Sequence, residues 1–381
     1  MATKKLFGAL LLSVLFAFTS CIQEEALNAE CDIVAIKATW IEENKEILSG
    51  SPIISNNDVM FYVKEETSIE TLKSFEPEFE LTPGAKITKE EKIEENGNRG
   101  IYMYYRTTSE DGMWSKIYKV SFTQQTVIDT EATFGFENFG LDEKSKYHIW
   151  HEVDAGGTKL PWWSSGNAGF LMSGQGKTPE SFPTAVDSAG FKGCCVRLTT
   201  RSTGWFGMAM KMPIAAGNIF IGEFKSENAT KKPLEATRFG LTIVPCKPVS
   251  LTGYYKYTAG DVFTNKESEE IAGRRDTCSI YSVLYEVDPA KVVPLDGSNI
   301  LSDDRIVMIA ELKNPGEPAE WTSFEIPFME TNGNAFDWVK LEKGEYAITV
   351  VASSSKGGAF FEGAVGSTLL VDEIKINWEN K

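Results

Sequence analysis

Short apolar runs recur along the chain, separated by clusters of Gly, Asn, Asp, Ser and Pro. Most runs alternate apolar and polar positions or are wholly apolar, which are the patterns of half-buried and fully buried strands. Tyr346 to Ala352 is short, apolar and rich in β-branched residues, and Ser367 to Trp378 alternates in its second half. With the turn-forming Ser353 to Gly358 after the first run, this pair predicts a long closing hairpin. Upstream, Asp32–Ile36, Asp58–Val63, Phe79–Ile87, Gly100–Arg106 and Lys116–Phe122 predict strands. The last two are joined across Asp111-Gly112, a strong turn signal. This spacing predicts a small immunoglobulin-like sandwich over residues 31–125.

Thr126 to Thr133 reads as a linker, and Phe134–Phe139 as an alternating strand. A Trp-, Gly- and Ser-rich loop follows from His148 to Asp187. Further strands are expected at Gly193–Thr200, Ala215–Phe224, Phe239–Ile243, Val249–Tyr257, Asp276–Glu286, Ile306–Leu312 and Trp321–Phe328. No segment has an amphipathic-helix pattern and no repeat is present. The expected fold class is therefore all-β: an N-terminal immunoglobulin-like sandwich followed by a larger jelly-roll-type β-sandwich over residues 131–381.

Composition adds an address. The chain of 381 residues carries a formal charge of −16, which repels phosphate backbones and anionic lipid, so nucleic acid is not an expected partner. Lys4-Lys5 and the apolar run Leu6 to Phe18 form a secretory signal over residues 1–20. Thr19-Ser20-Cys21 resembles a bacterial lipobox, in which Cys21 is acylated and residues 21–30 become an acidic tether. The expected location is the outer membrane, lipid-anchored at the cell surface of a Gram-negative bacterium, with the membrane reached through that anchor only. The remaining cysteines, Cys31, Cys194, Cys195, Cys246 and Cys278, are odd in number and lack zinc spacing. They read as small buried hydrophobes, with room for one bridge.

Several ordered motifs then carry a family resemblance: Trp163 to Asn167, Phe182-Pro183-Thr184, Gly217 to Gly222, Gly253 to Gly260, Asp276 to Tyr281, Ser353 to Gly358 and Gly363 to Glu373. Over roughly residues 131–381 the chain resembles the putative carbohydrate metabolism domain of bacterial surface lipoproteins. That resemblance implies a β-sandwich shaped like carbohydrate-binding modules and jelly-roll glycosidases, and it transfers no catalytic residues.

Sugar rings present flat C–H faces, so aromatic platforms with a few planar polar groups bind them. Trp162 and Trp163 beside Asn167, Trp205 on a Gly-flanked turn, and Tyr255 and Tyr257 on one strand face are candidates, with Tyr254 on the opposite face. Lys356 could pair with a sugar acid. Hydrolysis needs two facing carboxylates; Glu362 and Asp276 are the leading pair, with Asp187 and Asp372 also near Gly-rich or aromatic segments. Asp372 is alternatively a ligand for a structural Ca²⁺, and no other cofactor is expected. His148 and His151 are the only histidines, a poor basis for zinc. No Gly-x-Ser-x-Gly elbow or phosphate loop exists. The leading expectation is capture of a poly- or oligosaccharide beside surface glycan-uptake proteins. The alternatives are a glycoside hydrolase with paired carboxylates, and an adhesin or structural subunit without a small-ligand site.

Overall fold

A computed structural model describes residues 27–379, apart from 49–51, 56, 65–66, 96–99, 125–129, 131–132, 143, 154–158, 241–243 and 289–292. The signal segment and Cys21 lie outside the described residues. The described chain is almost entirely β, with only short helices.

In the N-terminal part, a five-stranded sheet runs in the order Ile53–Ser55, Asp58–Val63, Ser115–Gln124, Gly100–Thr108, Lys86–Glu95. Asp58–Val63 pairs parallel to Ser115–Gln124, and the other pairs are antiparallel. A second sheet joins Ile33–Ile36 to Phe79–Leu81. Between them lies an aromatic core in which Phe61 stacks on Phe122 with centroids 4.7 Å apart and Trp40 meets Phe61 edge-on. The expected hairpin forms: Thr108 pairs with Ser115, Asp111 Oδ1 accepts the Met113 N–H, and Gly112 takes φ 71°. That positive φ is why the Asp-Gly pair suits the turn.

A second, separate core belongs to a two-layer sandwich. One layer orders Thr184–Asp187, Cys195–Thr199, Thr368–Glu379, Lys247–Thr258 and Thr322–Pro327. The other orders Trp163–Ser164, Asn218–Phe224, Tyr346–Ser353, Ser279–Glu286, Ile306–Glu311 and Met329–Glu330, with Thr237–Phe239 also paired to Asn218–Phe224. The expected closing hairpin is corrected by this topology. Tyr346–Ser353 and Thr368–Glu379 lie in opposite layers, and residues 354–367 cross between them.

Alternation explains both layers. In the second, Ile280, Leu284, Ile348 and Val350 face the inter-sheet core, whereas Tyr281, Val283, Tyr285, Ala347 and Val351 face a smaller outer cluster with Phe220, Phe239, Leu295 and Ile300. This sheet is covered on both sides, which is why its central strands read as unbroken apolar runs. In the other layer, Leu369 and Val371 point inward, and so do Ile374 and Ile376, one residue out of phase. The structure absorbs the slip with a β-bulge: Thr252 pairs with Lys375 but Tyr254 with Asp372, and Glu373 takes φ 48°. The expected strand at Phe134–Phe139 is reduced to a bridge from Phe134 to Ile374, with Phe139 opening a short strand to Leu141.

Candidate functional site

Most of the expected platform is core. Trp162 and Trp163 are 6% and 5% exposed, and Tyr255 and Tyr257 are equally sealed. Phe134 and Phe136 pack against the Trp163 ring, whose Nε1 donates to Glu152 Oε1 at 2.6 Å. Burial pushes the Glu152 carboxyl up, and that indole bond partly offsets the rise. The Tyr255 hydroxyl donates to the Pro315 carbonyl. Asn167 is fully buried; its Nδ2 donates to Thr184 O (2.8 Å) and its Oδ1 accepts the Thr184 N–H (3.1 Å), so it serves as a surrogate strand partner. These five residues are corrected from ligand contacts to packing: Trp163 opens a two-residue edge strand, and its ring and that of Trp162 belong to the buried core.

Asp276 is likewise corrected from a catalytic acid. It is 4% exposed, and its Oδ2 accepts from Ser355 Oγ (2.6 Å), Ser367 Oγ (2.7 Å) and the Ala364 N–H (2.8 Å). Its Oδ1 accepts the Thr277 N–H at 2.9 Å. Because Ser355 donates to the carboxylate, its contact with Thr200 Oγ1 (2.6 Å) must be one in which Thr200 donates. Thr200 then accepts from Ser354 (2.8 Å), whose oxygen accepts the Gly217 N–H at 3.0 Å. One buried charge thus polarises a chain of hydroxyls that pins the crossing segment to its neighbours. The Ser353 to Gly358 turn is fixed by this network. A Cβ at Gly358 would come 2.4 Å from the Ala216 Cβ, so only glycine permits the approach.

What the pinned segment presents is a cavity. Beyond the turn, Phe360 and Phe361 form a wall between two hollows on the outer face of the Tyr346–Ser353 sheet. The larger, about 500 Å³, has Phe220, Tyr281 and Val351 among its floor residues, with Phe206 and Met210 from the Gly204–Ala209 helix region on one side. Lys356 is its only charged lining residue among those described. The Lys356 ammonium pairs with Glu311 Oε1 at 2.9 Å while half its side chain stays in water. The smaller hollow, about 460 Å³, shares Pro233, Leu234, Ala359, Phe360 and Phe361 and adds Lys266 and Glu362. Glu362 lies 3.5 Å from Arg274. Trp205 is 78% exposed, next in sequence to the wall residue Phe206. Of the expected residues, Glu362, Lys356 and Trp205 therefore gather at or beside the hollows, whereas Trp162, Trp163, Asn167, Tyr255, Tyr257, Asp276, Asp187 and Asp372 do not.

Asp372, the expected calcium ligand, is engaged by backbone amides. It fills the bulge with no exposure, and its oxygens accept N–H groups from Lys192 (2.9 Å) and Glu373 (2.8 Å). Burial raises its carboxyl to about 6. No metal-holding group of three His, Cys, Asp or Glu occurs among the described residues. Burial depresses the imidazole of His148, which packs between Phe139 and Trp150. Asp187 Oδ1 caps a turn through the Ala189 N–H. No disulfide occurs among the described residues.

The hollows escaped sequence reading because loops far apart in the chain build them. A local signal existed in Phe206-Gly207-Met208-Ala209-Met210-Lys211-Met212, whose methionines suit an adaptable surface.

Residues 135–377 match the family model described as "Putative carbohydrate metabolism domain". A solved structure named as a putative glycoside hydrolase from Bacteroides thetaiotaomicron is 38% identical, spans 94% of this chain and 100% of its own, and superposes with a TM-score of 0.73. A second, named likewise and from Bacteroides vulgatus, is 40% identical over 64% of this chain and 96% of its own, with a TM-score of 0.59. No curated protein matches. The matched model covers more than half the chain, and the chain belongs to the putative carbohydrate metabolism domain family.

Proposed function

We propose that the protein is a surface lipoprotein that captures a saccharide in the smaller hollow and along the wall it shares with the larger one, with the sugar lying against Phe360 and Phe361 and its hydroxyls meeting Glu362, Lys266 and Lys356. Family membership supports a carbohydrate-related role. One observation favours capture over hydrolysis: the described residues lining both hollows include a single carboxylate, Glu362. Hydrolysis by the usual route needs a second carboxylate about 5–9.5 Å away across the bond. Anchoring through Cys21 and exposure at the outer membrane are part of this proposal, resting on the amino-terminal pattern.

The relatives' naming keeps a hydrolase as the second reading. In it, Glu362 would act with Glu311, the carboxylate paired with Lys356. A glycan array followed by calorimetry on the best hit tests capture. Binding should weaken at least tenfold in Phe360→Ala and Lys356→Ala with the fold retained. Release of reducing ends that disappears in both Glu311→Gln and Glu362→Gln would instead establish the hydrolase, and no binding to any glycan would remove both readings.

A further inference from the structure

We infer that the larger hollow holds an alkyl or acyl substituent carried by the saccharide, so that the ligand is an amphiphilic glycoside and not a bare sugar. This rests on the saccharide reading of the adjoining hollow. Met172, Phe206, Met210, Leu301 and Phe360 line the larger hollow and remain 43% to 57% exposed. Such a ring of uncovered apolar side chains around a concavity marks a binding surface. Deeper in, Ala236, Phe220, Ile300 and Val351 are buried lining residues.

The polar side chains that reach this hollow are mostly committed elsewhere. Asn218 Oδ1 accepts the Gly166 N–H, Thr203 donates to the Met212 carbonyl, and Ser353 donates to the Ser355 carbonyl. Ser355 belongs to the Asp276 network. A sugar ring pushed into such a space would lose water from several hydroxyls and find few partners, a cost that a hydrocarbon chain does not meet. Phenylalanines line the hollow together with Met172, Met210, Met212, Ile214, Ile300, Leu301 and Val351; the methionines among them let the wall conform to a flexible chain. The volume of about 500 Å³ lies within the range of small-ligand pockets. Charge sits at one end only: Lys356 at the turn, then Lys266 and Glu362 across the Phe360–Phe361 wall. An amphiphile has that same polarity, with its headgroup toward these charges and its chain toward Phe220.

The test is calorimetric titration of the full chain with methyl, butyl, hexyl and octyl glycosides of glucose, galactose and mannose, kept below their micellar concentrations, with octanoate and free oligosaccharides alongside. Affinity should rise about fourfold per added methylene until the hollow is full. The rise should flatten in Phe206→Asp, which charges an exposed wall position, and in Ala359→Trp, which narrows the shared rim. Thermal melts of both variants report whether they fold, and the wild-type series decides the matter even if they do not. Equal affinity from methyl to octyl would overturn the inference and leave saccharide capture standing. Octanoate binding as tightly as every octyl glycoside would remove the saccharide reading, and this inference with it.

Discussion

Replacing Asp276 by Asn separates a structural acid from a catalytic one. The carboxylate accepts four hydrogen bonds, three on Oδ2 and one on Oδ1. In the amide, the carbonyl oxygen can keep the three from Ser355, Ser367 and Ala364, but the NH₂ group then faces the Thr277 N–H, donor against donor. Each retained bond falls from charge-assisted to neutral strength, a loss of about 1 kcal/mol apiece, and the stranded Thr277 amide costs about 1–3 kcal/mol more. Relief from burying an ion offsets part of this. The net expectation is a loss of about 3 kcal/mol, read as a lower denaturation midpoint with an unchanged slope. Amide exchange at Ala364 should accelerate in the same variant. A stability change below about 1 kcal/mol, together with loss of any sugar-releasing activity, would refute the reasoning and restore Asp276 as a catalytic group.

Asp372 gives a pH prediction. Burial raises its carboxyl from an ordinary 3.8 to about 6, so between those pH values the folded state holds a proton that the unfolded chain has released. Its contribution is therefore fully present at low pH and is lost as pH rises through about 6. Relative to wild type, Asp372→Asn should gain on the order of 3 kcal/mol in stability between pH 3.5 and pH 7, by chemical denaturation at each pH; a constant difference would show that the bulge does not shift this acid. Gly217→Ala would place a Cβ 2.3 Å from the Thr199 nitrogen and 2.4 Å from the Pro183 carbonyl oxygen, both backbone atoms that cannot step aside. It should cost about 3 kcal/mol, and an unchanged melting temperature would contradict the close approach. Trp163→Phe keeps most of the ring burial but removes the 2.6 Å donor to Glu152; a loss of about 2 kcal/mol is expected, and a neutral change would mean the carboxyl finds water instead.

The strands were legible because side-chain alternation is a local property. Lys247–Thr258 and Ser279–Glu286 appear within a few residues of the pattern that predicts them. Even the bulge was written in the sequence, as the one-residue slip between Val371 and Ile374. Which layer a strand joins was not legible, since two consecutive buried strands look alike whether they form a hairpin or cross the sandwich. The short helices, five or six residues each, are too brief to show a helical period. The aromatic expectation failed for a related reason. Adjacent tryptophans on an apparent loop suggest a wet platform, but Trp162 and Trp163 close the edge of the sandwich, where Phe134 and Phe136 from the preceding segment cover them. Lys356 and Glu362 stand out in the sequence because a Ser- and Gly-rich turn flanked by aromatics signals a presented loop.

The central claim is that sugar binds at the Phe360–Phe361 wall. A crystal structure of the protein with its best glycan ligand tests this most directly. A saccharide ring is expected against Phe360 or Phe361, with hydroxyls within hydrogen-bond distance of Glu362, Lys266 or Lys356. A ring seated instead on the Phe191–Tyr254 stack of the other layer, with both hollows empty, would contradict it.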